Sequence, residues 1–381
     1  MHINDDFMPD SPPDRPHPAK SVQKAYAKLN LTLNITGKRP DGYHELESVM
    51  QTVTLHDDVT VSCEPRELCD APGGHIINVS VESDDDYIAS QNIPADDRNT
   101  AVKAAREYFF QIERRSEDAN PVFAARVPAQ LVNIHIFKRI PAGAGLAGGS
   151  ADAAAVLLAL NEIVRFSQND GVNAAAVPLT PNDAVRSALS RNAFQYAKAD
   201  SACDAGENAR PARPEPLSHN DLMAAALRVG ADVPFCLLRG AALARGVGEI
   251  LTRLPRVKLN HTIALANPRF EISTAWLYKN YMLPGAAVTE SLSQLTQNMI
   301  ESHGNAWERC FNALEQTALQ RFPQIGIIKE KMINSGAACA VMSGSGPTVF
   351  GLFAEAGAAR GAAERMRREG YWTAVCTAYV A

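Results

Sequence analysis

The chain reads as a two-lobed α+β protein, and three observations predict it. The first part is rich in strand-like alternation, a glycine-rich turn joins a strand to a helix near the middle, and the C-terminus runs strand, turn, strand, helix, strand. The first twenty residues are acidic and proline-rich, lack the apolar core of a secretory signal, and are read as a disordered tail. Ala25 to Thr36 places Leu29, Leu31, Leu33 and Ile35 in alternation and is read as a strand, with the turn-rich GKRPDGYHE leading to a second strand from Leu46 to Leu55. Residues 58–63 and 76–81 alternate in the same way. Asn99 to Ile112 reads as a helix with Ala101, Val102, Ala105, Tyr108 and Phe109 on its inner face.

The middle of the chain carries the chemistry. Leu131, Val132, Ile134, Ile136 and Phe137 form a strand-like run, and Ala153 to Leu160 is an apolar stretch of strong helix formers. Between them lies KRIPAGAGLAGGSADA. Gly143, Gly145, Gly148 and Gly149 let a backbone approach a ligand closely, and Ser150 is the expected N-cap of the helix that follows. The free N–H groups and positive dipole end of such a helix suit an anion. An ordinary strand-to-helix connection would use glycine in the same way, so the segment alone leaves both readings open. A dinucleotide-binding fold is disfavoured, because polar FSQNDG follows the helix where a second strand ending in an acid should stand. The G-x-x-x-x-G-K-[ST] loop also fails, since Gly149 occupies the lysine position. Lys28 and Lys138 are the candidates for the missing positive charge.

From residues 166–220 the composition turns polar and then rich in Pro, Ala and Glu. This is read as an inserted, partly flexible excursion with a short helix around Asp183 to Ala199. A helix from Asp221 to Val229 leads into GADVPFC, where Asp232 is either a helix-cap or turn acid or a partly buried carboxylate able to orient or deprotonate an alcohol. His261 to Ala266 opens the second lobe as a strand. ACAVM, SGSGP and TVFGLF give strand, turn, strand, followed by an amphipathic helix from about Ala354 to Arg368 and a last strand. The expected organisation is therefore a tail at 1–20, a first domain at 21–255 interrupted by the excursion, and a second domain at 256–381.

Composition removes several classes of function. A net charge of −5 argues against a broad nucleic-acid-binding surface. Seven cysteines form no C-x-x-C pair, which fits a reducing cytoplasm, and the histidines show no zinc spacing. The longest apolar run, Ala153 to Leu160, falls far short of the roughly 20 residues that span a bilayer.

Taken together, AYAKLNLTLNITGKRPDGYHE, IPAGAGLAGGSADAA, GADVPF and SGSGPTVF resemble the GHMP kinase superfamily. Within it they resemble the branch acting on a cytidine-diphosphate-linked methylerythritol, and AKLNL with DGYHE is the specific part. The resemblance implies a two-lobed GHMP kinase fold with a ribosomal protein S5 domain 2-like N-terminal lobe and a ferredoxin-like C-terminal lobe. It implies ATP and Mg2+ as cofactors, a small-molecule substrate, and transfer of the γ-phosphate to the 2-hydroxyl of that alcohol in non-mevalonate isoprenoid precursor synthesis.

By the same resemblance Asp232 and Lys28 are catalytic. Asn99, Lys138 and the run Pro141, Ala142, Gly143, Ala144, Gly145, Leu146, Ala147, Gly148, Gly149 and Ser150 bind the nucleotide. Asn30, Tyr43, His44, Thr274, Tyr278, Gly344, Ser345 and Gly346 bind substrate or close the site. Ala147 stands where the family usually has glycine and is expected at a negative φ. Ala151 replaces a frequent serine, which leaves Ser150, helped by Asp152, as the candidate metal ligand. Another small-alcohol kinase of the superfamily and a catalytically inactive ligand sensor are the competing readings, and monomer against homodimer stays open.

Overall fold

The computed structural model describes residues 19–65, 74–119, 130–169, 215–255, 257, 259–302 and 309–380. The helix read around Asp183 and most of the tail and excursion lie outside these residues. Both expected segments are ordered at their edges: Ala19 and Lys20 already belong to a strand, and helices reach Asn169 on one side and start at His219 on the other.

The first sheet is organised on one long strand. β1 (Ala19–Asn30) and β2 (Thr32–Lys38) run antiparallel to β3 (His44–Pro65), whose other edge receives β5 (Gln130–Phe137) and β6 (Ala241–Arg245). β4 (Ile76–Glu82) is parallel to β5, and β7 (Ile250–Arg253) extends from β6. Two expectations are corrected here. The single strand read at Ala25 to Thr36 breaks at Leu31 into β1 and β2, while the strands read at Leu46 to Leu55 and 58–63 are one continuous β3. The polar His56-Asp57-Asp58 step looks like an interruption, but Asp57 is fully buried and its carboxylate is hydrogen-bonded, so the strand passes through it.

Short α1 (Asp86–Ala89) precedes α2 (Thr100–Ala119), which packs with α3 (Gly148–Asn169) on this sheet. Val156, Leu157 and Leu160 of α3 sit in the same buried cluster as Tyr108 of α2 and Val132, Ile134 and Ile136 of β5. Truncating Leu157 to alanine there would cost about 2–5 kcal/mol. α4 (His219–Val229) starts at a capping box between Ser218 and Asp221, and the short α5 (Val233–Leu238) follows.

The second sheet, in order β10-β11-β8-β12, is antiparallel throughout: β8 (Thr262–Asn267), β10 (Cys339–Met342), β11 (Val349–Phe353) and β12 (Trp372–Thr377). With α9 (Gln324–Asn334) between β8 and β10 and α10 (Ala356–Arg368) between β11 and β12, the run is ferredoxin-like. Between β8 and α9 come α6 (Thr274–Asn280), α7 (Ala286–Glu301), the two-residue β9 (Phe311–Asn312) and α8 (Glu315–Arg321). β9 pairs in parallel with β2, which stitches the second half of the chain to the first sheet. No helix among the described residues is long and apolar enough to cross a membrane.

Candidate active site

The glycine turn is a close-packed loop. Gly143 and Gly145 have φ of +59° and +75°, a region that L side chains rarely adopt. A methyl group on Gly145 would stand 2.1 Å from the Ser343 carbonyl oxygen, and Ser343 Oγ donates to the Gly145 carbonyl at 3.0 Å. The 343–346 turn is thereby pressed directly onto the loop. Gln91 clamps Ala142 through its backbone N–H and carbonyl, at 2.8 and 3.1 Å.

Two expectations at this loop are corrected. Ala147 has φ of +57°, not a negative value, so this chain keeps a methyl group in left-handed backbone where glycine would be unstrained. The helix also starts two residues before Ser150. The Ala147 carbonyl accepts from Ala151 N–H at 2.8 Å, which makes Ala147 the capping position and puts Gly148, Gly149 and Ser150 in the first turn. Their N–H groups have no partner within the helix, and that array, with the dipole behind it, fits the phosphates of a nucleotide.

Lys28 and Asp232 meet beside this loop. A register shift between Tyr26 and Lys28 kinks β1, and the Lys28 N–H donates to the Leu146 carbonyl at 3.1 Å. The buried Lys28 ammonium lies 3.4 Å from Asp232 Oδ1 and donates to Asn30 Oδ1 at 2.8 Å. Asn30 in turn donates to Ser48 Oγ at 2.8 Å, so the lysine is held by a chain of oriented groups. Asp232 stands at the N-cap of α5, yet its side chain caps nothing and is 34% exposed. The carboxylate is therefore engaged by Lys28 and open to solvent, and the helix-cap reading does not hold for its side chain.

Lys138 lies under the loop. Its buried ammonium donates to Asp57 Oδ2 at 2.5 Å and to Asp152 Oδ2 at 2.7 Å, so it balances these acids and is not free to face a phosphate. Burial works against its charge, but the two carboxylates outweigh burial and raise its pKa. Asp57 takes two further donors, the N–H groups of Arg139 and Ile140, at 2.5 and 2.8 Å. Asp152 Oδ2 accepts from the lysine and its Oδ1 has no hydrogen-bond partner; burial, helped by the charge of Asp57, pushes its pKa up to about 7 against the pull of Lys138. Asn99 caps α2 through the Ala101 N–H and donates to the Pro94 carbonyl, and the next residue, Thr100, donates to the Gly149 carbonyl.

A ring cluster adjoins the Lys28–Asp232 pair. His44 and Tyr278 have centroids 5.4 Å apart, and Tyr281 approaches His44 edge-on at 6.3 Å. Burial, then the charge of Asp232, pushes the Tyr278 phenol up to about 12. Burial, then Lys38, lowers the His44 pKa and keeps the ring neutral. Tyr43 is 65% exposed at the rim. Thr274 Oγ1 and Ser345 Oγ lie 2.8 Å apart, and a methyl group on Gly344 would be 3.3 Å from Asn30 Oδ1, which joins the second-lobe residues to the same centre.

The sequence reading missed Asp57, Ser48, Gln91 and Tyr281. Tyr281 lies three residues beyond Tyr278, a helical spacing that could have flagged it; the others act through strand register and loop contacts without a local signal. Among the described residues no group of three or more His, Cys, Asp or Glu could hold a metal ion. The Ser150 hydroxyl, on the first turn of α3, is an oxygen donor of the kind a divalent cation takes.

Residues 99–185 match the GHMP kinases N terminal domain, and residues 286–371 match the GHMP kinases C terminal domain. The 4-diphosphocytidyl-2-C-methyl-D-erythritol kinase of Acetivibrio thermocellus is 33% identical over 331 residues, covering 87% of this chain and 89% of its own. The enzyme of the same name from Alkaliphilus metalliredigens is 34% identical over 351 residues, covering 91% and 93%. A crystal structure of 4-(cytidine 5'-diphospho)-2C-methyl-D-erythritol kinase superposes with a TM-score of 0.55 at 26% identity, covering 94% of this chain and 99% of that one. Homoserine kinase from Cytophaga hutchinsonii gives a TM-score of 0.59 over 98% of both chains at 16% identity, which is a likeness of fold alone.

Proposed function

The chain belongs to the 4-diphosphocytidyl-2-C-methyl-D-erythritol kinases, a branch of the GHMP kinases, and on that premise we propose that it transfers the γ-phosphoryl group of ATP to the 2-hydroxyl of 4-diphosphocytidyl-2-C-methyl-D-erythritol. This is a step of non-mevalonate isoprenoid precursor synthesis. The observation that carries the reading is the Lys28–Asp232 pair, a non-capping carboxylate 3.4 Å from a buried lysine whose backbone N–H is bonded to Leu146 of the glycine loop.

Asp232 accepts the hydrogen bond of the substrate hydroxyl and takes its proton as the oxygen–phosphorus bond forms and the bond to ADP breaks. Lys28 keeps Asp232 ionised and offsets the charge shared by the acceptor oxygen and the transferred group. Asn30 fixes the lysine geometry. The first-turn amides of Gly148, Gly149 and Ser150 hold phosphate oxygens, and the 343–346 turn closes over them. Ser150 would help hold a Mg2+ ion bound with the nucleotide, which would supply neutralisation of the phosphate charge. Tyr278 and Tyr43 offer rings to the cytosine, and the neutral His44 offers one donor and one acceptor to its polar edge.

The test is ADP release with Mg-ATP, comparing the cytidylated alcohol with homoserine, mevalonate and galactose, in wild type and Asp232→Asn. Turnover with the cytidylated alcohol, reduced about 10²–10⁴-fold in the variant, is expected. Turnover with a different alcohol would move the protein to another GHMP kinase branch.

A further inference from the structure

We propose that Asp57, Lys138 and Asp152 are positioning residues for nucleotide binding, a buried clasp that fixes the first turn of α3 against the start of the glycine loop. The inference rests on the kinase reading above and extends it to residues that touch no substrate.

Three elements meet at one ammonium. Asp57 comes from β3, Lys138 from the residue after β5, and Asp152 from the second turn of α3. Asp57 also receives the N–H groups of Arg139 and Ile140, the residues at which the chain leaves the strand for the loop. One carboxylate therefore sets the exit direction of β5. The lysine carries that constraint onward into the helix. Contact with the cradle is direct: a methyl group on Gly148 would lie 3.4 Å from Lys138 Nζ and 2.9 Å from Ile140 Cγ2. The clasp thus sits immediately beneath the first amide of the helix N-terminus.

Stability alone does not account for such an arrangement. Two carboxylates share one ammonium in a fully buried site, and Asp152 Oδ1 has no hydrogen-bond partner. A buried charge cluster with an orphaned oxygen is weak evidence of a stabilising role, because well-packed apolar groups commonly serve as well. What the cluster does supply is direction. Charge-assisted bonds of 2.5 and 2.7 Å fix α3 relative to the strand exit more tightly than dispersion contacts between alanines would. The amides of Gly148, Gly149 and Ser150 can hold phosphate only if that angle is kept, and a misplacement of about 1 Å at such a site costs on the order of a hundredfold.

Asp152→Ala is the discriminating change. It leaves a neutral Asp57–Lys138 pair and so preserves the fold, while cutting the tie to α3. Binding of a non-hydrolysable ATP analogue would be measured by calorimetry beside the KM for each substrate. The expected result is an analogue Kd and an ATP KM raised about tenfold with the KM for the cytidylated alcohol unchanged, and recovery to within about threefold in Asp152→Asn, whose amide oxygen still accepts from Lys138. Asp57→Asn, which opposes an amide or a weaker acceptor to the lysine, is expected to weaken the analogue as well. A folded Asp152→Ala protein that binds the analogue as wild type does would overturn the proposal. Equal losses for both substrates would reduce the clasp to a structural role and overturn it too. Failure of the wild type to bind the analogue would instead defeat the kinase reading.

Discussion

Gly145→Ala is the sharpest probe of the loop. The residue has φ of +75°, and an alanine held there carries a left-handed penalty of about 1–2 kcal/mol. Its methyl group would stand 2.1 Å from the Ser343 carbonyl oxygen and 2.9 Å from the Gly346 nitrogen. Both are backbone atoms, so no side chain can swing aside, and the 343–346 turn must retreat by about 1 Å from the loop to restore ordinary contact. The hydrogen bond from Ser343 Oγ to the Gly145 carbonyl stretches with it. Strain plus a weakened bond gives a destabilisation of about 2–3 kcal/mol, and a displacement of that size at a phosphate site lowers kcat/KM about a hundredfold. Thermal denaturation and steady-state kinetics at varied ATP measure the two effects. Gly37→Ala, which meets nothing within 4 Å, is the control. Wild-type melting and wild-type kcat/KM in Gly145→Ala would refute the claim that the two glycine turns are packed against each other.

Ala147→Gly tests the corrected loop geometry. It removes a left-handed penalty of about 1–2 kcal/mol and gives back about 0.5–1 kcal/mol of chain entropy, so a melting temperature equal to or slightly above wild type is expected, and a clear drop would contradict the positive φ. Tyr278→Ala removes a ring beside His44 and is expected to raise the KM for the cytidylated alcohol about tenfold, in line with about 1–3 kcal/mol per stacked base, with the ATP KM unmoved in the same assay. His44 has a folded-state pKa below 6.5, so the unfolded chain binds its proton first. Its contribution to stability is complete above pH 6.5 and is lost as pH falls through the folded value. Melting curves between pH 7.5 and 5 should therefore fall less steeply in His44→Gln than in wild type, and parallel curves would contradict the burial of the ring.

Much of this architecture was legible because strands with one buried face write their alternation into the chain. β4, β5, β8, β10 and β11 were read within a residue or two, as was α10. The chemistry was legible wherever it sits on a contiguous motif: Lys28 and Asn30 share a strand face, and the glycine spacing marks the loop. What escaped depended on contacts between distant segments. Asp57 looks like a strand-breaking acid until the N–H groups of Arg139 and Ile140 arrive to bind it. Lys138 looks like free charge until two carboxylates enclose it. α6, α7, α8 and α9 were not read from the sequence; α7 packs on β2 and β3, α9 on β10 and β11, and α6 and α8 on neighbouring helices, contacts that leave no contiguous motif. The sign of φ at Ala147 was misjudged, since alanine carries no sequence mark of left-handed backbone.

The central claim is that Asp232 and Lys28 direct phosphate onto one hydroxyl of a cytidylated polyol. Phosphorus NMR of the reaction of wild type with Mg-ATP and 4-diphosphocytidyl-2-C-methyl-D-erythritol tests it most directly. The account predicts a new phosphomonoester signal on the carbon-2 oxygen, formed in step with ADP while the substrate diphosphate stays intact, and suppressed about 10²–10⁴-fold in Asp232→Asn. ADP formed with free phosphate and no ester, or an ester formed equally well by Asp232→Asn, would contradict it.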